Sequence, residues 1–239
     1  MLPDSEISRV LVVTAHPDDV DFGAAGTIAT WTDAGIEVAY AIVTSGEAGE
    51  AFPDTPRSEV GALREAEQLA AAKCVGVTDV RFLRRPDGTV TPSIELRRDI
   101  SRVIRQVRPD RVILPSPERN FDRIYAGHPD HRAVGSAALD AVYPDARNPF
   151  TFPELLHEEG LEAWTAREVW IPGGPAANHH VDVTEVFDRK LAALRSHVSQ
   201  VEHHTDLEGM LRGWMGANAT SAGLPDGVLA EIFRVISTA

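Results

Sequence analysis

The chain has 239 residues, 36 acidic and 23 basic, giving a formal net charge of −13; 43% of its residues are hydrophobic and 25% charged. That composition belongs to a folded globular protein of one or two domains and excludes a disordered or fibrous chain. An acidic chain with two lysines, Lys73 and Lys190, predicts neither nucleic acid nor an anionic membrane surface as partner. Its single cysteine, Cys74, excludes an internal disulfide framework and any multi-cysteine metal site.

The opening, MLPDSEIS, is acidic without an apolar run, so no secretory leader is expected there and a cytoplasmic location is predicted. Arg9–Ala15 (RVLVVTA) follows as a nearly continuous β-branched run, which suits a strand buried on both faces of a parallel sheet. Further strands are predicted at Glu37–Thr44, Val80–Leu83 and Arg111–Leu114. Between them lie predicted helices over Gly26–Ala34, stopped by Gly35, over Arg57–Val75, and over Ser93–Arg108, stopped by Pro109. This alternation reads as βαβ units, a three-layer α/β/α Rossmann-like fold with a mainly parallel sheet. A loop spans Pro115–Pro129, a helix His131–Val142, and an irregular segment Tyr143–Gly160. Beyond it, strands are predicted at Glu168–Ile171 and His180–Val183, an amphipathic helix over Thr184–Gln200, and helices over Glu208–Ala219 and Val228–Ile236. Without a linker or repeat, the expectation is one domain: residues 1–142 form the α/β core, and 143–239 a C-terminal elaboration.

Two clusters stand at predicted strand ends. Ala15-His16-Pro17-Asp18-Asp19 ends the first strand, and Gly127-His128-Pro129-Asp130-His131 ends the loop after the fourth. Ligands of open parallel sheets sit beyond the C-terminal strand ends, above all where strand order reverses. His nitrogen and Asp oxygen are donors for zinc, and a catalytic site keeps three such ligands with a position open. If strands one and four are neighbours, His16, Asp19 and His131 can hold a metal, leaving Asp18 and His128 for acid–base work. The competing reading is two turns whose aspartates cap the following helices.

The Ala-His-Pro-Asp-Asp and His-Pro-Asp-His runs resemble those of the PIG-L / LmbE-like zinc de-N-acetylases, which act on N-acetylglucosaminyl conjugates and related amides. Arg64-Glu65-Ala66-Glu67, Val75-Gly76-Val77, Val181-Asp182-Val183-Thr184, Lys190, His197 and Ser199-Gln200 extend the resemblance over most of the chain. It implies that His16, Asp19 and His131 bind one Zn²⁺, with Fe²⁺ or another divalent ion as the alternative, and that Asp18 is the general base. His128 becomes the protonated residue that stabilises the tetrahedral intermediate and protonates the departing amine. Arg64 matches a family arginine near the site, and His180, before the VDVT segment, is expected at its rim on the substrate side. Homo-oligomers are frequent among such proteins. Val20 stands where the family commonly has Glu, with Asp21 after it. Ala126 stands where some sugar deacetylases have Tyr, with Tyr125 one step back.

The reading is therefore a metal-dependent amide hydrolase taking a small amino-sugar substrate. Two alternatives are a non-catalytic metal-binding protein of the same fold and a nucleotide-dependent oxidoreductase. The latter wants G-x-G-x-x-G after the first strand, where this chain has carboxylates. Arg119 and Arg123 flank the second cluster's loop. His179-His180 and His203-His204 are adjacent pairs whose side chains diverge. Cys74 reads as a small buried residue and His157 as solvated.

Overall fold

The computed structural model describes residues 1–49, 55–121, 124, 127–174 and 176–238. Its sheet contains β1 (Arg9–Thr14), β2 (Glu37–Thr44), β3 (Asp79–Arg85), β4 (Arg111–Ile113), β5 (Glu168–Pro172), β6 (His179–Asp182) and β7 (Ala230–Ser237) in the order β3-β2-β1-β4-β5-β7-β6. Strands β3 to β5 in that order pair in parallel, and β7 runs antiparallel between β5 and β6. The expected α/β architecture with a mainly parallel sheet is present.

The alternation along β1 explains its unbroken apolar run. Val10 and Val12 join Tyr40, Ile42, Trp31 and Trp170 in one core layer, whereas Leu11 and Val13 join Ala41, Ile100, Ile104 and Val134 in the other. Helices α1 (Asp19–Asp33) and α2 (Arg57–Cys74) supply the first layer, α3 (Ile94–Val107) and α4 (Pro129–Asp140) the second. The chain leaves β1 toward β2 and β3, then returns to place β4 on the other side of β1. Strand order thus reverses between β1 and β4, and their C-terminal loops open into one crevice.

Three expectations are corrected. The first helix begins at Asp19, seven residues before Gly26, because tertiary contacts hold a stretch that contains Gly23 and Gly26 against its low propensity. One such contact is at Gly26, where an added Cβ would lie 2.7 Å from Val183 Cβ. The segment Val228–Ile236 is not helical: Ala230–Ser237 is β7, because its Ile, Phe and Val side chains fill the gap between β5 and β6. Its apolar spacing fits either period, and the pairing partners decide. The single helix over Thr184–Gln200 is broken into α6 (Phe187–Arg195) and α7 (Val198–Val201), with His197 outside helical geometry at φ −86°, ψ 58°. The segment after Tyr143 contains a short helix α5 (Pro153–His157), and α8 (Leu207–Ser221) lies where a helix is expected.

A buried ion pair ties the C-terminal segment to α1. Lys190 Nζ donates to the carbonyls of Asp21 and Phe22 and to Glu231 Oε1 at 2.7–2.8 Å, while Glu231 accepts the N–H groups of Gly26 and Thr27. On the opposite face, Gly135 lets α4 press against the loop after β4: an added Cβ would lie 2.2 Å from Pro115 O and 2.9 Å from Pro117 N. Backbone atoms cannot step aside as side-chain tips do. Gly135→Ala is expected to cost about 1–3 kcal/mol of stability, read as a lowered urea midpoint at constant slope. An unchanged midpoint would show that α4 is free to shift at this contact.

Candidate metal centre

The crevice is built from both expected clusters. His16 follows β1; Asp19 is the first residue of α1; His128 precedes α4 as its N-cap, and His131 lies in its first turn. His131 Nε2 lies 3.2 Å from His16 Nδ1 and 3.0 Å from Asp19 Oδ1, and Asp19 Oδ2 lies 3.5 Å from His16 Nδ1. The ring of His128 completes the wall, edge-on to His16 with centroids 4.9 Å apart, and 5.3 Å from His131.

The capping alternative does not describe these aspartates. Asp18 occupies the N-cap position of α1, yet its side chain accepts no hydrogen bond from the helix. Asp19 Oδ2 accepts the N–H of His16 at 2.9 Å. In α4 the cap is His128, whose Nδ1 accepts the Asp130 N–H at 3.2 Å. Asp130 is turned away to the N–H groups of Gly88 and Val90.

His16 is oriented from behind. Its Nε2 lies 3.0 Å from Asp87 Oδ1 and 3.5 Å from Asp130 Oδ2. Each carboxylate is itself held by backbone donors, Asp87 by Ala48 N–H at 2.9 Å and Asp130 by Gly88 N–H at 2.8 Å. The Nε2 proton therefore goes to Asp87, leaving the Nδ1 lone pair aimed at His131 and Asp19. His128 is placed the opposite way, because Nδ1 accepts the Asp130 N–H and its proton then sits on Nε2.

Whether these residues fit a divalent ion follows from the donor set. Two ring nitrogens and one carboxylate converge: the nitrogens are 3.2 Å apart, Asp19 Oδ1 is 3.0 Å from His131 Nε2, and Asp19 Oδ2 is 3.5 Å from His16 Nδ1. Tetrahedral zinc with bonds of about 2.0–2.1 Å separates neighbouring ligands by about 3.3–3.4 Å. The set fits in number, type and spacing. Its electrostatics point the same way. Burial opposes a charge on His16, but hydrogen bonds to Asp19 and Asp87 outweigh it and push its pKa up to about 10. Burial likewise opposes charge on Asp19, yet His131 and His16 hold its carboxyl far below the usual range. Two further donor groupings, His16–His128–His131 and His16–Asp87–Asp130, also lie within 4.8 Å. In the first, His128 Nδ1 is engaged with the backbone; in the second, the carboxylates orient His16.

Asp18 stands apart from its neighbour in both geometry and charge. Its backbone is left-handed, φ 81° and ψ −27°, a conformation costing a non-glycine residue about 1–2 kcal/mol. Arg64 Nη2 donates to Asp18 Oδ2 at 3.1 Å and to Pro17 O at 2.9 Å, and Nη1 donates to Gly46 O at 2.9 Å. Gly46, at φ +70°, leaves the room: a Cβ there would lie 2.4 Å from Arg64 Nη1. Arg64 is thus spent on the Asp18 turn. Burial, then the charge of Asp19, pushes Asp18 up to about 6 against the pull of Arg64. Burial and the charges of His16 and His131 hold His128 below its ordinary value.

The structure brings His16, Asp18, Asp19, Arg64, His128 and His131 together. His180 lies on β6, the edge strand three places from β4, with its ring stacked 6.0 Å from His179. Val20 packs in the core and Asp21 is fully buried. Arg119 is exposed, Cys74 is half-buried near Ser196, and Arg123, Tyr125 and Ala126 lie outside the described residues. Sequence reasoning did not find Asp87, Gln68 or the role of Asp130. The only signal for Asp87 is a Pro-Asp-Gly turn after a strand, a pattern that ordinary loops share.

Comparison with known proteins identifies the family. The family described as PIG-L, GlcNAc-PI de-N-acetylase, matches residues 11–142. The chain is 33% identical over 198 residues to the diacetylchitobiose deacetylase of Thermococcus kodakarensis, covering 83% of this chain and 72% of that one. It is 35% identical over 200 residues to a probable N-acetyl-α-D-glucosaminyl L-malate deacetylase 2 of Bacillus anthracis, covering 80% and 81%. Among solved structures, the N,N′-diacetylchitobiose deacetylase of Pyrococcus horikoshii, complexed with its inhibitor MPG, superposes with a TM-score of 0.87 at 29% identity, covering 98% of this chain and 86% of that one. The chain belongs to the PIG-L family.

Asp87→Asn is expected to weaken divalent-ion binding about 10–100-fold, measured by competition with a chromophoric chelator after metal removal and zinc titration. Wild-type affinity in that variant would mean that the His16 ring is oriented by other contacts.

Proposed function

We propose that this PIG-L-family protein is a metal-dependent deacetylase that hydrolyses the acetamide of an N-acetylglucosaminyl conjugate. The observation that carries this reading is the pairing of two unlike carboxylates at one strand end. Asp19 faces the lone-pair cluster, and Asp18, one residue earlier, is held beside Arg64. His16, Asp19 and His131 would hold the ion; two nitrogens with one carboxylate suit zinc and iron alike, and zinc is the choice the family resemblance implies. When bound, a divalent ion there supplies Lewis-acid charge that polarises an amide carbonyl and acidifies water.

The chain's own side chains do the remaining work. Asp18 takes a proton from the attacking water, and that water's oxygen forms the new bond to the carbonyl carbon. Arg64 keeps the accepting carboxylate in place through the bonds described above. His128 presents its Nε2–H to the oxygen on which negative charge develops, where a fixed donor in a shielded crevice counts most. Breaking the C–N bond returns a proton to the amine, and the products are acetate and the free amino sugar. Among the described residues no helix is long and apolar enough to cross a membrane. The substrates named for the relatives fit this chemistry: diacetylchitobiose, N-acetylglucosaminyl malate and N-acetylglucosaminyl inositol.

Acetate release is the direct test, with zinc-loaded protein and a panel of N-acetylglucosamine, N,N′-diacetylchitobiose, N-acetylglucosaminyl malate and N-acetylglucosaminyl inositol. Wild type is expected to release acetate from at least one compound. Asp18→Asn is expected to keep its metal while kcat falls about 10²–10⁴-fold. Full turnover by Asp18→Asn removes it as the base, and a metal-loaded wild type inactive on every compound removes the proposed substrate class.

A further inference from the structure

One group of fully buried polar side chains touches Asp18 without entering the proposed chemistry. Gln68, on α2, accepts the Asp18 N–H at its Oε1, 2.8 Å away, and donates from Nε2 to Asp21 Oδ2, also 2.8 Å away. The same Asp21 oxygen lies 2.8 Å from His197 Nε2. Gln68, Asp21 and His197 are each 0% exposed. His197 reaches Asp21 from the break between α6 and α7, 55 positions beyond the span that matches the family.

Burying an amide, a carboxylate and an imidazole is costly, and apolar packing of the same volume often does as well for stability. What this chain of bonds supplies is direction. The amide of Gln68 can place its oxygen under the Asp18 N–H only while its NH₂ faces a carboxylate. Turned over, it would set N–H against N–H and oxygen against oxygen. Asp21 fixes the amide, and His197 fixes Asp21. At the end of the chain is a residue with left-handed backbone, whose carboxylate direction depends on what holds its N–H.

We propose that His197, Asp21 and Gln68 are positioning residues that set the place of the Asp18 carboxylate, so that the C-terminal segment governs turnover without touching substrate. The inference rests on the reading of Asp18 as the base. Gln68→Met keeps the volume and removes both hydrogen bonds. His197→Leu removes the last donor, and His197→Gln restores an N–H near the place of Nε2. The probe is the panel compound that wild type turns over fastest, with kcat, KM and bound zinc per chain measured for each variant beside Asp18→Asn.

Gln68→Met and His197→Leu are expected to lose about 10²-fold in kcat, the scale of an ångström-sized misplacement. KM should stay within about threefold and zinc at wild-type stoichiometry, and His197→Gln should recover most of the loss. A role confined to holding helices together would lower the melting temperature and leave kcat of the folded protein unchanged. If Gln68→Met does not fold, the His197 pair decides by the same readouts. Wild-type kcat in folded Gln68→Met or His197→Leu, beside an inactive Asp18→Asn, overturns this inference alone. An active Asp18→Asn overturns the underlying reading with it.

Discussion

Two ring nitrogens and a carboxylate within hydrogen-bond distance of one another cannot all present lone pairs unless a positive charge lies among them. Every other feature of the crevice serves that constraint. Asp87 takes the far proton of His16 so that Nδ1 is free, and Asp130 is kept from capping α4 so that it can stand behind the same ring. The cost of burying these acids is met by backbone donors from the loops after β2 and β3, Ala48 N–H and Gly88 N–H. The first strand's ligand is thus aimed by two loops from neighbouring strands. Adjacent strand ends in a parallel sheet make that arrangement available without any long excursion of chain.

The two consecutive aspartates show how one turn produces two chemistries. Asp19 enters α1 with its carboxylate on the cluster, where His131 and His16 keep it ionised. Asp18, one residue earlier, is in a left-handed conformation that sends its carboxylate toward Arg64. Neighbouring titratable groups whose surroundings push their proton affinities apart are the usual mark of divided acid–base labour. Here the division originates in the backbone. Had Asp18 adopted the extended geometry of an ordinary N-cap, a hydrogen bond to the N-terminus of α1 would have been the usual outcome.

Much of this was legible in the sequence. The β-branched run of β1 predicted a doubly buried strand, and the His-Pro-Asp runs at two strand ends predicted the meeting of His16, Asp19 and His131 once β1 and β4 are adjacent. What was illegible acts through tertiary contact. Asp87 and Gln68 carry no spacing signal, because they meet their partners 71 and 50 positions away along the chain. The segment Ala230–Ser237 has apolar residues that satisfy both helical and strand periods, so only its neighbours β5 and β6 settle its state. The long helix predicted from Thr184 fails at His197, the residue whose ring must turn inward to reach Asp21.

That break bears on what the C-terminal segment is for. Lys190 and Glu231 bind carbonyls and N–H groups of α1 within three turns of Asp19, and His197 reaches the same helix at Asp21. Buried ion pairs are weak evidence for stability, because the desolvation of both partners consumes most of their attraction. They do reject alternative placements, since shifting α1 by one residue would leave a buried lysine and glutamate without their backbone partners. Gly26, pressed on Val183, allows the approach that makes those bonds. The segment therefore acts on the site by fixing the register and rotation of α1. The helix that carries Asp19 in its first turn, with Asp18 immediately before it, is locked by residues of α6 and β7 far along the chain. A site built from two strand-end loops alone would lack that constraint.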